Sequence, residues 1–157
     1  MISKVVIMSI GASLGMSAAV AHADTASFVG KWHWDRTRST VVPGEPPPKD
    51  VLLDIADTAN GRLKWTLTAV DPEGQSHVES FDGPSNGAPT KVIGDEQTSA
   101  SFVLASDSLK AVFKGPQGDS DSWSCALSAD QRMMTCHGTQ SDGQGHSRDY
   151  TDVYNRG

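Results

Sequence analysis

Clustered positive charge is what this chain most plainly lacks. Its 13 Lys and Arg stand against 19 Asp and Glu, a net charge of −6 at neutral pH. The tightest basic groupings are pairs such as Arg36 and Arg38. Nucleic acids and anionic membranes both reward clusters of Lys and Arg, so neither is expected as a partner. Helical patterning is missing as well. Beyond residue 23, no stretch of eleven residues carries apolar groups at i, i+3, i+4 and i+7 without a Gly or Pro break, which excludes a helical domain.

Motifs for nucleophilic or phosphate chemistry are absent: there is no Gly-x-Ser-x-Gly elbow, no phosphate-binding glycine loop and no His-Glu-x-x-His. His33, His77, His137 and His146 show no i, i+2 or i, i+4 pairing, so each reads as a solvated or singly bonded histidine. No metal site and no cofactor is expected. Cysteine is scarce. Cys125 and Cys136 are the whole supply, and they read as one disulfide or as two buried thiols.

Long hydrophobic runs are also lacking, apart from Val5 to Val20, which Ser9, Gly11, Ser13, Gly15 and Ser17 interrupt. That run falls short of the roughly 20 apolar residues a membrane span needs. With Lys4 before it and Ala21-His22-Ala23 after it, it has the form of a secretory signal peptide with a small-x-small cleavage site. Residues 1–23 are thus expected to be removed. The remaining 24–157 form one domain, periplasmic or secreted, with no membrane insertion of the mature chain.

What is present is alternation. Phe28, Gly30, Trp32 and Trp34 share one face of an opening strand. Val51, Leu53 and Ile55 share a face of the next, and Leu63, Trp65, Leu67 and Ala69 of the clearest one. Between the first two, Pro43-Gly44-Glu45-Pro46-Pro47-Pro48 reads as a stiff surface connector. Asn60-Gly61 and Asp71-Pro72-Glu73-Gly74 supply turns. Further alternating segments follow: Gln75 to Asp82, Thr90 to Asp95, Thr98 to Ala105, Leu109 to Lys114, Ser122 to Ser128, Met133 to Gln140 and His146 to Arg156. About 8–10 short strands joined by hairpin turns predict an all-β protein, an antiparallel up-and-down barrel. If Ala129 pairs with Arg132 across their turn, Cys125 faces Cys136; a one-residue slip makes them diagonal.

Phe28-x-Gly30-x-Trp32 resembles the G-x-W signature that opens the first strand of lipocalins and other calycins. Together with Ser39, Asp71-Pro72-Glu73-Gly74, Phe81-Asp82-Gly83, Ser128-Ala129-Asp130 and Val153-Tyr154, it is similar to small secreted bacterial lipocalin-like proteins of mostly unassigned activity. The resemblance implies a barrel in which Trp32 closes one end. It also implies an arginine from the last strand over that indole, and Arg156 stands in the matching place.

The candidate ligand-binding residues are Trp34, Trp65, Phe81, Trp123, Tyr150 and Tyr154, the aromatic groups able to line a cavity. His77 and Glu79 share a strand face with Phe81, and Tyr150 and Asp152 share one with Tyr154. Turned inward, these four are the candidate acid–base residues of an enzyme; turned outward, His77 and Glu79 are solvated and Val78 is core. Three functions compete: an exported barrel binding a small apolar or aromatic ligand, a cofactor-free lyase, isomerase or hydrolase, and a structural or interaction protein of the cell envelope.

Overall fold

The computed structural model describes residues 28–41, 46–58 and 60–157. The segment read as a signal peptide and the start of the proline-rich connector lie outside the described residues. Ten strands follow in order: β1 (Gly30–Trp34), β2 (Asp50–Thr58), β3 (Arg62–Val70), β4 (Ser76–Pro84), β5 (Thr90–Lys91), β6 (Ser99–Leu104), β7 (Leu109–Lys114), β8 (Ser120–Leu127), β9 (Met133–Ser141) and β10 (Ser147–Arg156).

All neighbours are antiparallel, in the order β4-β3-β2-β1-β10-β9-β8-β7-β6-β5. Every strand pairs with its neighbour in sequence except β4 and β5, which stand at the two edges, and β1 pairs in addition with β10, where the sheet curls on itself. The remaining seam lies between β4 and the β5–β6 region. There Ser80 and Ile93 exchange backbone hydrogen bonds of 2.9 and 2.8 Å, and Gly87 N donates to Phe102 O. The result is a nearly closed up-and-down barrel, as the alternation predicts. The predicted strand over Thr90 to Asp95 is reduced to two residues, since the chain must bend after Lys91 to bury Val92 while Ile93 bridges outward to Ser80.

The hairpin turns use the expected residues. Asn60 and Gly61 both take positive φ, 74° and 69°, which Asn and Gly tolerate best. Around Ala129–Arg132 the ladder places Cys125 directly opposite Cys136, and the two form a disulfide. The pair is buried on the inner face.

The two ends of the barrel interior differ. One end is packed solid with Phe28, Trp32, Ile55, Leu63, Leu109 and Met134. Trp32 is fully buried, pairs with Arg156 in the β1–β10 register and lies under its guanidinium, 4.2 Å from carbon to ring centre. Its indole N–H donates to Phe28 O, so the aromatic bulk is buried without an orphaned donor. Arg156 in turn donates to Val29 O and Gln131 O. Gly30 leaves the guanidinium its space, because a Cβ there would stand 2.8 Å from Arg156 Nη1. The other end is open.

Candidate functional site

Toward the open end, the inner face of the barrel encloses a cavity of about 710 Å³, inside the range of ~300–1,000 Å³ typical of small-molecule sites. Its apolar wall comes from β2, β3, β7, β8 and β10: Leu53, Trp65, Leu67, Phe113, Trp123 and Tyr154. These side chains point inward because each occupies the inner parity of its strand. Their rings form a continuous surface, with centroids 5.5 Å apart for Trp65 and Phe113 and 6.4 Å for Phe113 and Trp123. Phe102 ties this surface to the packed end, touching Trp65, Phe81 and Trp123.

Polar groups are set into the wall. Tyr150 Oη donates to Asp121 Oδ1 at 2.8 Å, linking β10 to β8 across the intervening β9. Gly138 makes this possible. It lies between Trp123 and Tyr150 in the register, and a Cβ at this position would overlap the Tyr150 ring. A bare backbone therefore lets the ring lie down over β9 and reach Asp121. Two residues along β10, Asp152 Oδ1 accepts from Trp34 Nε1 at 2.8 Å.

Burial dominates the ionisation of these groups. It pushes the Asp121 carboxyl above the usual aspartate range, against hydrogen bonds from Tyr150 and Gln140. It raises Asp152 likewise, opposed by the Trp34 bond and reinforced by the charge of Asp121. Desolvation and these carboxylates hold Tyr150 and Tyr154 firmly as neutral phenols. Glu79, half-buried at the cavity, is also raised, by burial first and then by Asp95. Trp65 adds an unusual feature: the residue is 4% exposed, and its Nε1 is buried without a hydrogen-bond acceptor.

The candidate residues from the sequence are distributed as follows. Trp65, Trp123, Tyr150, Tyr154, Glu79 and Asp152 line the cavity. Trp34 reaches it through its bond to Asp152, while Phe81 is packed against Phe102 in the core. His77 does not join Glu79. Both face the same side of β4, but His77 sits opposite Ala69 near the strand's start, with its side chain 63% exposed and bonded to Asp71 at 3.1 Å. Asp121 and Gly138 escape a reading that begins the eighth strand at Ser122. The signals for them are the inner parity Asp121 shares with Trp123 and Cys125, and a lone glycine inside a strand. Among the described residues, no three His, Cys, Asp or Glu side chains converge to hold a metal ion.

No protein-family model and no curated protein sequence matches the chain. Solved structures do match. The fluorescent protein UnaG is 16% identical with a TM-score of 0.56, over 85% of this chain and 99% of UnaG. A redesigned beta barrel is 12% identical with a TM-score of 0.53, over 85% of this chain and 94% of its own. Rv2717c from M. tuberculosis is 13% identical with a TM-score of 0.50, over 87% of this chain and 98% of its own. Likeness at these identities shows the fold, and the fold of this chain is a calycin-like antiparallel barrel.

Proposed function

We propose that this protein is an exported barrel that binds a small, largely apolar or aromatic molecule in its cavity. The observation that carries the reading is the asymmetry of the interior. Trp32, Ile55, Leu63 and Met134 fill one end completely, whereas Trp65, Leu67, Phe113 and Trp123 line about 710 Å³ of open space at the other. A barrel of this size can fill its interior with side chains or hold one small ligand, and this one does the first at one end only. Export rests on the form of residues 1–23, and the Cys125–Cys136 disulfide suits an oxidising compartment. Among the described residues, no helix is long and apolar enough to cross a membrane.

The test is a titration with the neutral fluorescent probe N-phenyl-1-naphthylamine, using the wild type and Leu67→Trp, which fills the cavity from its wall. Saturable one-to-one binding that weakens at least tenfold in the variant is expected. Equal binding by both proteins would place the probe elsewhere, and no saturable binding by the wild type would remove the reading. Export is tested by mass spectrometry of the protein recovered from the periplasm or medium of a Gram-negative host, where a mature N-terminus at Asp24 is expected.

A further inference from the structure

We propose that the cavity selects a ligand with an aromatic body and a protonated amine, the ring lying against Trp65, Phe113 and Trp123 and the ammonium group seated at Asp121 and Asp152. The proposal rests on the small-ligand reading of the same cavity and names the chemistry of its occupant.

Charge is the first argument. Six carboxyl groups line the cavity, from Glu79, Asp95, Asp119, Asp121, Asp142 and Asp152, against two basic side chains, His146 and Arg148. The bases are engaged at the rim: His146 Nδ1 lies 2.6 Å from Asp142 Oδ2, and Arg148 donates twice to Gln140 Oε1. Inside, the groups that hold the two acids are neutral donors, the Tyr150 phenol and the Gln140 amide for Asp121 and the Trp34 indole for Asp152. Each carboxyl therefore keeps acceptor capacity. Asp121 also acts on Asp152 as a like charge. A cation at either carboxylate would offset both its burial and the repulsion; a carboxylate or phosphate would add to both. A metal ion fits poorly, because no three of these ligands converge among the described residues.

The second argument is independent of the acids. Trp65, Phe113 and Trp123 line the same space, with ring centroids 5.5 and 6.4 Å apart along the row. Such rings suit a planar π system and attract a nearby cation. The site thus asks for a cation at one place and a ring beside it.

Three dansyl probes of matched length separate the possibilities: dansylcadaverine, whose tail ends in an ammonium; N-pentyl dansylamide, which is neutral; and 6-dansylaminohexanoate, which ends in a carboxylate. Dansyl emission excited through tryptophan reports entry to the cavity. The ammonium probe is expected to bind roughly tenfold tighter than the neutral one, the gain of one charge-assisted hydrogen bond, with the carboxylate weakest. Asp152→Asn and Asp121→Asn each keep an acceptor for Trp34 or Tyr150 and are expected to bring the affinities of the ammonium and neutral probes close to parity; the ratio of the two is the readout. Equal binding of the ammonium and neutral probes, or tightest binding of the carboxylate, overturns the proposal and leaves the small-ligand reading standing. Selectivity that survives in both variants overturns the assignment of Asp121 and Asp152. No saturable response to any probe contradicts the proposal and the small-ligand reading together.

Discussion

Trp32 and Arg156 are paired across the ladder between the first and last strands, with the guanidinium 4.2 Å above the indole. The contact joins the ends of the barrel chain at the place where the interior is solid. Trp32 makes no contact with solvent, and replacing it with alanine is expected to cost about 3–5 kcal/mol. Urea denaturation measures this. Near-wild-type stability of Trp32→Ala would mean that the ring is not the plug. Gly30→Ala is expected to destabilise as well, because the glycine has φ 140° and its hydrogen faces Arg156 Nη1.

Gly138→Ala tests the seat of Tyr150. A methyl group there would occupy the space of the phenol ring, so the ring must lift and release Asp121. Overpacking of this kind costs about 1–3 kcal/mol. A crystal structure of the variant is expected to show the Tyr150–Asp121 bond broken. An intact bond with unchanged stability would show that the sheet relaxes instead.

The buried carboxyls set a pH dependence. Burial holds Asp152 above the usual aspartate value of 3.8, so the folded protein binds this proton more tightly than the unfolded chain. Its ionisation therefore costs stability as pH rises from about that value through the folded one, and the cost persists at higher pH. Asp152→Asn removes it. The variant is expected to have a higher urea midpoint than the wild type at pH 7, with the difference shrinking as pH falls through the folded value of Asp152 and gone below about 4. Exposed aspartates such as Asp71 and Asp82 are shifted the other way, but they are common to both proteins and cancel in the difference. A pH-independent difference would assign the effect to packing.

The disulfide clasps a single hairpin. Cys125 and Cys136 are 11 residues apart, and a closed loop of that size is worth about 3 kcal/mol in the chain-entropy model. Denaturation with and without a reductant measures the loss. Because Cys136 also lines the cavity, reduction is expected to weaken probe binding too.

Much of this was legible in the alternation of side chains. Period 2 assigns Trp65, Leu67, Trp123 and Tyr150 to inner faces, and the Gly30-x-Trp32 pattern points to Arg156 from the other end of the chain. The turn at Ala129–Arg132 offers the register that joins Cys125 to Cys136. Alternation, however, gives a face and not a height along the barrel. His77, Glu79 and Phe81 share a face of β4, yet one lies at the exposed rim, one at the cavity and one in the core. Height depends on strand stagger, which is fixed by pairings among all ten strands. The Tyr150–Asp121 bond was hidden for a related reason: it spans a strand and depends on an absent side chain at Gly138.

The most direct measurement of the central claim, that the open half of the barrel holds a ligand, is an NMR titration of the four indole N–H signals with dansylcadaverine. Trp65 and Trp123 line the cavity, Trp34 touches it through Asp152, and Trp32 is sealed at the opposite end. The Trp65 and Trp123 signals are expected to shift saturably with one affinity, the Trp34 signal to follow more weakly and the Trp32 signal to stay in place. Shifts confined to Trp32, or none at saturating probe, would contradict the account.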